Sequence, residues 1–509
     1  MPREASLNST HLHQLIAQQA QIKPEGIALW WQGEATDYAT LNDRIQNIAG
    51  RLVEDGDKGE RVAILAWNRP EFVELIYAVP AAGQILVPLN ARLAPAEWLN
   101  QLQSSGVKTL FGDATLLQPL LVHPQFPQDV RIIALDTDFE NWIVTGNTAS
   151  LPTTQSTDPA WILYTSGSTG RPKGAVLTHH SFLAGLRSAA LGRPVEPTDK
   201  YYYPFPLFHV AAHNVLLQHQ YGAAVVLAKS FDASETLSAC RELGITSMSL
   251  APTMIAMLME HPDFCAQDLA TVRTIGYGAS AMPQTLLKKL LQDTDVGLCQ
   301  SYGMTELSGS VSFLTVTDHQ IAASQKPQLL QSVGQPLATA QLKLVDEQGR
   351  ECDPGAVGEI VVKAQQCLDR YWNDELATEI ALADGWLLTG DIGRFDNEGY
   401  LYIVDRKKDM IISGGENIAS REVEEVLRQH PAVSDCAVIG LPDAQWGERC
   451  CAVLRLNTTV SDQELQEHCY SLLGKFKSPR YWFRTDELPL NAAGKVDKPL
   501  LRKLYEKDD

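Results

Sequence analysis

Three things are scarce in this chain of 509 residues: cysteine, basic charge and uninterrupted apolar sequence. The nine cysteines include no Cys-x-x-Cys pair and are too irregular for a disulfide framework. Adjacent Cys450 and Cys451, followed by Ala-Val-Leu, read instead as part of a buried strand in a reducing compartment. Lysine and arginine total 42 against 61 aspartates and glutamates, a formal charge of −19. Such a surface repels phosphodiester backbones, which argues against nucleic-acid binding as the main task. An anionic substrate must then be met by local cations and backbone N–H groups, not by the overall field. The longest apolar stretch, Phe72 to Leu89, is interrupted by Glu74, Pro80, Gly83, Gln84 and Pro88 and cannot cross a bilayer. Met1-Pro-Arg-Glu-Ala-Ser lacks an export core, and Glu506-Lys-Asp-Asp509 carries no lipidation or peroxisomal signal. The expectation is a soluble, cytoplasmic protein. Its 45% apolar and 20% charged content is ordinary for a globular chain, and its length predicts about three folding units.

Short β-rich runs alternate with amphipathic helical stretches over most of the length. Arg61-Val-Ala-Ile-Leu-Ala precedes a helix over Pro70–Ala82, and Ala224-Val-Val-Leu-Ala precedes one over Ala233–Leu243. This alternation predicts an α/β fold with layered parallel sheets. Over residues 330–405 the pattern changes to short strands punctuated by Gly349, Gly355 and Gly399, which suggests a small antiparallel sheet or barrel. After Arg406-Lys-Lys-Asp comes a compact α+β module, with helices at Ser420–Gln429 and Ser461–Leu473 and strands at Cys436–Ile439 and Cys450–Leu456. The expected division is a domain of residues 1–405, containing the β-rich part, and a C-terminal domain of residues 406–509.

The strongest chemical signal is Tyr164-Thr-Ser-Gly-Ser-Thr-Gly-Arg-Pro-Lys-Gly174, directly after the apolar Trp161-Ile-Leu. Its glycines let backbone N–H groups approach an anion, its hydroxyls add donors, and Lys173 adds charge, the makings of a polyphosphate cradle. It is not a Walker loop, because no Gly-Lys-Ser/Thr follows at the required spacing. Gly276-Tyr-Gly-Ala-Ser-Ala281 matches a dinucleotide GxGxxA, with Asp295 placed as a ribose acid, but a lone match of that kind is weak. His209 and His213 have helical metal-ligand spacing but no third ligand beside them.

The Thr165–Gly174 string resembles the phosphate loop of the adenylate-forming enzymes, the superfamily of acyl-CoA synthetases, luciferases and peptide-synthetase adenylation domains. Four further segments resemble the remaining motifs of that superfamily in order: Gln300-Ser-Tyr-Gly-Met-Thr-Glu306, Trp386-Leu-Leu-Thr-Gly-Asp-Ile-Gly393, the hinge segment Tyr402–Asn417, and Leu490-Asn-Ala-Ala-Gly-Lys495. The resemblance implies a large N-terminal domain with a small β-barrel-like subdomain and a small, mobile C-terminal domain. It also implies ATP, Mg²⁺ and coenzyme A as co-substrates and cofactor. Thr165, Ser166, Gly167, Ser168, Thr169, Gly170 and Lys173 would hold the β- and γ-phosphates. Glu306, with Thr165, would bind Mg²⁺, a hard cation suited to one carboxylate plus phosphate oxygens. Thr305 would meet the α-phosphate. Gln300, Ser301, Tyr302 and Gly303 would form the adenine segment, with Tyr302 stacked on the base and Gly278, Ala279 and Ser280 as its wall. Asp391 would accept from the ribose hydroxyls, with Arg406 reinforcing that grip and Ile403 beside it. Lys495 would bridge the substrate carboxylate and the α-phosphate. The carboxylate is already ionised at pH 7, so positioning and cations, not a general base, must carry the step.

Pro204-Phe-Pro-Leu-Phe-His209-Val resembles the aromatic-histidine element of acyl-CoA synthetases, so His209 is also expected to take part in catalysis. Val210-Ala-Ala-His-Asn214 lacks the aspartate with which amino-acid-activating relatives pair a substrate ammonium. His209, Val210, His213, Tyr277, Gly303, Ser308, Gly309 and Val311 are the candidate acyl pocket, for a hydrophobic fatty or aryl acid without an amine. The resemblance places a hinge at Lys408, about which the C-terminal domain swings. The swing would withdraw Lys495 and bring Ser413-Gly414-Gly415, with Trp446, to the thiol tunnel. Ala419-Ser420 departs from the family pattern and is expected to change only a local loop. The implied activity is an AMP-forming acyl-CoA synthetase. An acyl carrier protein is the alternative acceptor, and a luciferase-type oxygenase or a non-catalytic sensor are the remaining readings. The acid itself and the oligomeric state, including a homodimer, stay open.

Overall fold

The computed structural model describes residues 9–144, 150–165, 172–278, 282–413, 416–443, 446–491 and 494–506. It is mixed α/β, and its chain forms two compact units, one of residues 1–341 with 362–387 and the other of 342–361 with 388–509. These units divide differently from the expected cut at residue 405. Strand segments of the β-rich stretch are grouped with the C-terminal module, because the strand Leu401–Arg406 pairs along Trp386–Phe395, with Asp391 opposite Arg406.

The larger unit is built on two extended sheets. Among the described residues, one has seven strands and holds the hairpin Pro159–Thr165 and Lys173–Thr178. Trp161, Ile162 and Leu163 are buried, so the apolar run that leads to Thr165 belongs to the core. Thr165 stands opposite Lys173, which sets the span that the loop must close. The two-residue strand Arg370–Tyr371 lies on the far side of Lys173–Thr178, placing Tyr371 opposite Ala175.

The other large sheet has nine strands among the described residues. Thr274–Gly278 runs parallel to Gly297–Met304, which pairs antiparallel with Gly309–Leu314. A 3₁₀ turn, Thr305–Leu307, joins the last two, and Ser308 completes it in the left-handed region at φ 49°. A Cβ at Gly303 would lie 1.9 Å from the Gly309 carbonyl oxygen, so only glycine lets these strands approach. Gly276 and Gly278 lie at the end of the strand Thr274–Gly278, and a Cβ on Gly278 would stand 2.7 Å from the Ser301 carbonyl oxygen, so that glycine serves close strand packing.

Helix His179–Gly192 begins at Thr178, whose hydroxyl accepts from the Ser181 N–H in a capping box. It ends at Arg193, whose extended backbone is the conformation favoured before Pro194. Helix Ala233–Leu243 falls where expected, as does Pro70–Ala81 to within one residue. No helix among the described residues is long and apolar enough to cross a membrane.

In the smaller unit, Val433–Asp443 and Gly447–Leu456 form a long antiparallel pair. Cys450 and Cys451 are buried in it, facing two separate apolar clusters, and both are free thiols. Helix Ser420–Leu427 has alanine at its N-cap, which offers no capping side chain. Asp405 caps it from outside, accepting from the Ser420 N–H at 2.5 Å and its hydroxyl at 2.8 Å. The Ala419-Ser420 departure thus keeps a capped helix. Burial raises the Asp405 pKa, while the Lys498 charge and the Ser420 bonds oppose that rise.

Candidate active site

Two groups of expected residues come together, each inside one unit. In the larger unit the Thr165 hydroxyl donates to Glu306 Oε1 at 3.2 Å, and the Tyr371 hydroxyl donates to the same oxygen at 2.9 Å. Glu306 is buried, and its own carbonyl accepts from the Leu368 N–H at 2.7 Å, so its position is held from both ends. Lys173 Nζ lies 5.3 Å from the Tyr371 ring centroid. Burial first, and then the Glu306 charge, push the Tyr371 phenol well above its ordinary pKa, so it stays a donor. A buried carboxylate met by two hydroxyls is under-compensated electrostatically. Carboxylate and hydroxyl oxygens at the mouth of a phosphate-type loop suit Mg²⁺ together with phosphate oxygens.

Thr305 opens the turn that carries Glu306. Gln300, Ser301, Tyr302 and Gly303 follow one another along Gly297–Met304, and Gly278 faces Ser301 from the neighbouring strand. Ser166, Gly167, Ser168, Thr169 and Gly170, and likewise Ala279, Ser280, Gly414 and Gly415, lie outside the described residues.

In the smaller unit Asp391 is buried and pairs with Arg406, Nε to Oδ1 at 2.7 Å, across the hairpin. Ile403 stands opposite Gly393 in the same hairpin. Lys495 sits on a tight turn closed by the Asn491 N–H donating to its carbonyl at 2.7 Å. Its area is exposed, but desolvation by the surrounding atoms holds its pKa below the usual lysine value. The Arg406 and Lys408 charges act in the same direction, and Asp391 opposes them. Asp391, Arg406 and Lys495 are thus electrically coupled, from three motifs about a hundred residues apart in total.

Lys408 is the middle residue of the 3₁₀ turn Lys407–Asp409. The turn is tied at its flanks by Lys407–Glu359 at 2.7 Å and Arg502–Asp409 at 2.9 Å, while the Lys408 side chain is exposed. Ser413 is buried opposite Gly447, and Arg480 stacks 4.2 Å over the Trp446 ring.

Beside the Gly297–Met304 strand lies a cavity of about 150 Å³. Val210, His213, Tyr277, Gly303 and Gly309 line it, as do Gly278 and Ser301. His209, Ser308 and Val311 are not among its lining residues. His209 caps the turn Val210–Ala212 with its ring against Phe208, Ser308 backs onto Gly185, and Val311 is in the core. His213 Nδ1 bonds the Val210 carbonyl at 2.9 Å and must be the donor there. Burial and the nearby Arg193 charge, opposed by that bond, bring its pKa to about 4, so the ring is neutral. The Tyr277 hydroxyl is committed to His319 Nε2 at 2.7 Å, which leaves the ring face to the cavity.

Two residues escaped the reading of the sequence. Tyr371 is 65 residues from Glu306 and belongs to no motif, so nothing in the chain announces it. Arg193, also on the cavity wall, follows a helix and precedes a proline, a position that reads as a simple helix stop.

A layered α/β unit carrying a hydroxyl- and lysine-flanked loop beside a buried carboxylate, with a separate α+β unit bearing a lysine turn, is the architecture of an adenylate-forming enzyme. The model of the AMP-binding enzyme family matches residues 16–372, and that of the AMP-binding enzyme C-terminal domain matches residues 422–495; the chain belongs to this family. It is 35% identical over 487 residues to the 2-succinylbenzoate–CoA ligase of Bacillus subtilis, covering 94% of this chain and 96% of that one. It is 33% identical to a fatty acid–acyl-carrier-protein ligase of Streptomyces coeruleorubidus, over 95% of this chain and 94% of that one. The solved Bacillus subtilis o-succinylbenzoate CoA synthetase with its acyl-adenylate intermediate superposes with a TM-score of 0.87 at 34% identity, over 96% and 97% of the two chains. The same synthetase has been solved with ATP and magnesium ion, and superposes at 0.85. The chain is an acid–thiol ligase of the AMP-binding enzyme family.

Proposed function

We propose that this ligase activates a carboxylic acid with a hydrophobic body, fatty or aryl, and passes it to the thiol of CoA. The observation that carries this reading is the cavity bordered by Gly278, Ser301 and Gly303, beside the strand that leads into the turn of Thr305 and Glu306. An acid in that cavity lies along the strand that leads to the nucleotide motifs. One carboxylate oxygen attacks the α-phosphorus, the bond to the β-phosphate breaks, and pyrophosphate leaves. The thiol sulfur then attacks the acyl carbon, AMP leaves, and the thiol proton is released. Thr165 and Lys173 hold the leaving phosphates, and Thr305 the α-phosphate. Glu306, oriented by Tyr371, would hold Mg²⁺, which would supply positive charge to the phosphate oxygens. Asp391 and Arg406 grip the ribose, and Lys495 supplies positive charge in the adenylation step. Lys408 is the hinge between steps, and Ser413 and Trp446 serve the thiol arm.

Mass spectrometry after incubation with ATP, Mg²⁺, CoA and a pool of acids tests the reading. The pool holds C2–C18 fatty acids, benzoates, cinnamates and 2-succinylbenzoate. Acyl-CoA masses are expected. Acyl-AMP without thioester favours a carrier-protein phosphopantetheine as acceptor, a second reading supported by the carrier-protein ligase among the relatives. Neither product from any acid overturns the reading.

A further inference from the structure

The cavity has one fully charged wall residue among those described. Arg193 is 7% exposed, and its Nη1 donates to the Ser249 hydroxyl at 2.6 Å, its Nη2 to Asn214 Oδ1 at 2.7 Å. Its guanidinium also lies 5.4 Å from the Tyr201 ring centroid. All of these partners are neutral, and Arg193 makes no ion pair among the described residues. Arg193, Asn214 and Ser249 all line the cavity, whereas no aspartate or glutamate does. A guanidinium taken out of water and given no counter-charge is costly, and an anion bound in the cavity would offset that cost.

The backbone has been cleared for this side chain. A Cβ on Gly276 would stand 2.0 Å from Arg193 Nη1. The first glycine of GxGxxA, which resembles a dinucleotide signal, is thus the opening through which the arginine reaches the cavity. Gly276 pairs with Ser249 on one side and Cys299 on the other. Met304, which leads into Thr305, the residue proposed to meet the α-phosphate, is five residues beyond Cys299, roughly 16 Å of extended chain. Arg193 therefore stands at the end of the cavity remote from the reacting phosphate. The walls between include Phe205, Val210, Tyr277 and Phe313.

We infer that Arg193, with Asn214 and Ser249, is a specificity site for a second carboxylate on the substrate, remote from the one that is activated. The inference rests on the proposed acid activation and narrows it: the acid has a hydrophobic body and an anionic far end. Arg193 is suited to this because its planar fork matches a carboxylate in a bidentate pair, which a lysine would not reproduce. Its charge also meets locally an anion that the −19 chain as a whole repels.

The test is pyrophosphate release and thioester formation with matched acids that differ only at the far end. Alkanoates of six to twelve carbons and aryl-substituted acids are each compared as the hydrogen, carboxamide and carboxylate forms. The carboxylate member is expected to exceed its hydrogen partner in kcat/KM by about 100-fold, with the carboxamide between them, as for a site that must leave polar groups unpaired with the wrong ligand. Arg193→Leu should bring the ratio near one, through loss on the carboxylate member and not on the hydrogen member, and Arg193→Lys should restore part of it. Equal turnover of all three forms by the unmodified protein leaves the ligase reading standing and overturns this inference, whether or not the variants fold. Equal loss on every acid in Arg193→Leu, with an unchanged ratio, shows a merely structural arginine and also overturns it. If no acid yields adenylate, the ligase reading falls and this inference with it.

Discussion

The proposed nucleotide corner and the proposed acyl cavity share the strand Gly297–Met304 but are assembled by opposite rules. The corner is made of motifs in which neighbours in sequence do the same work: Thr165 and Lys173 flank one loop, and Thr305 and Glu306 share one turn. The cavity draws single residues from two helices, a 3₁₀ turn, loops and several strands, with Arg193, Ser249 and Gly276 meeting only in space. Phosphate and ribose are the same in every ATP, so the groups that hold them can be packaged in short strings. The acid is particular to the enzyme, and its wall must be shaped by whatever lies around it. Chemistry common to the reaction is therefore compact in the chain, and chemistry particular to the substrate is dispersed.

The sharpest contrast is expected at Lys495. Lys495→Ala should lower pyrophosphate release by about 1,000-fold, in line with removal of a charge aimed at a developing oxyanion. Thioester formation from supplied acyl-AMP should be nearly unaffected. Equal loss in both half-reactions would remove the assignment of this lysine to the first step. Lys408→Pro should do the reverse, sparing adenylation and slowing thioester formation by about 100-fold, because proline fixes φ in the turn that must change. Single-turnover measurement of each half-reaction separates the two outcomes.

Acid should act on the larger unit through its buried histidines, of which His213 lines the cavity. His179, His213 and His219 are buried, with pKa values brought from 6.5 to about 3, 4 and 4, mainly by desolvation. His219 is locked neutral between the Tyr77 hydroxyl at 2.8 Å and the Ala28 carbonyl at 3.0 Å. The unfolded chain binds protons at these sites below pH 6.5 and the folded chain does not. Stability is thus full above that pH and declines as pH falls from 6.5 toward 4, by about 1.4 kcal/mol per unit per histidine within the window. Urea unfolding between pH 7.5 and 4.5 measures this, and a flat profile would contradict the neutral, buried histidines. His219→Gln should flatten it in part.

The smallest effect is expected at Tyr371. Tyr371→Phe removes one hydroxyl donor from Glu306, a change of about 1 kcal/mol for an ordinary hydrogen bond. The apparent affinity for Mg²⁺ at fixed ATP should weaken by about fivefold, with KM for the acid unchanged. A shift in the acid KM instead would tie this tyrosine to the cavity.

Periodicity and punctuation in the chain were enough to read the α/β layers, helix Ala233–Leu243 and the short strands after residue 340, because each depends on local burial patterns. The family motifs were legible for the same local reason, and they placed Thr165 near Lys173 and Asp391 near Arg406 through hairpin pairing. The contact of Thr165 with Glu306 spans 141 residues and joins two sheets, a juxtaposition that resemblance could imply but spacing could not. Tyr371 on Glu306, Asp405 on the Ser420 helix and Arg193 through the gap at Gly276 lay beyond any reading of the chain. Each is a pairing of a polar group with a vacancy created elsewhere. Local sequence specifies which groups a segment can offer. Which of them loses its water, and what then compensates it, is settled when distant segments pack together and exclude the solvent.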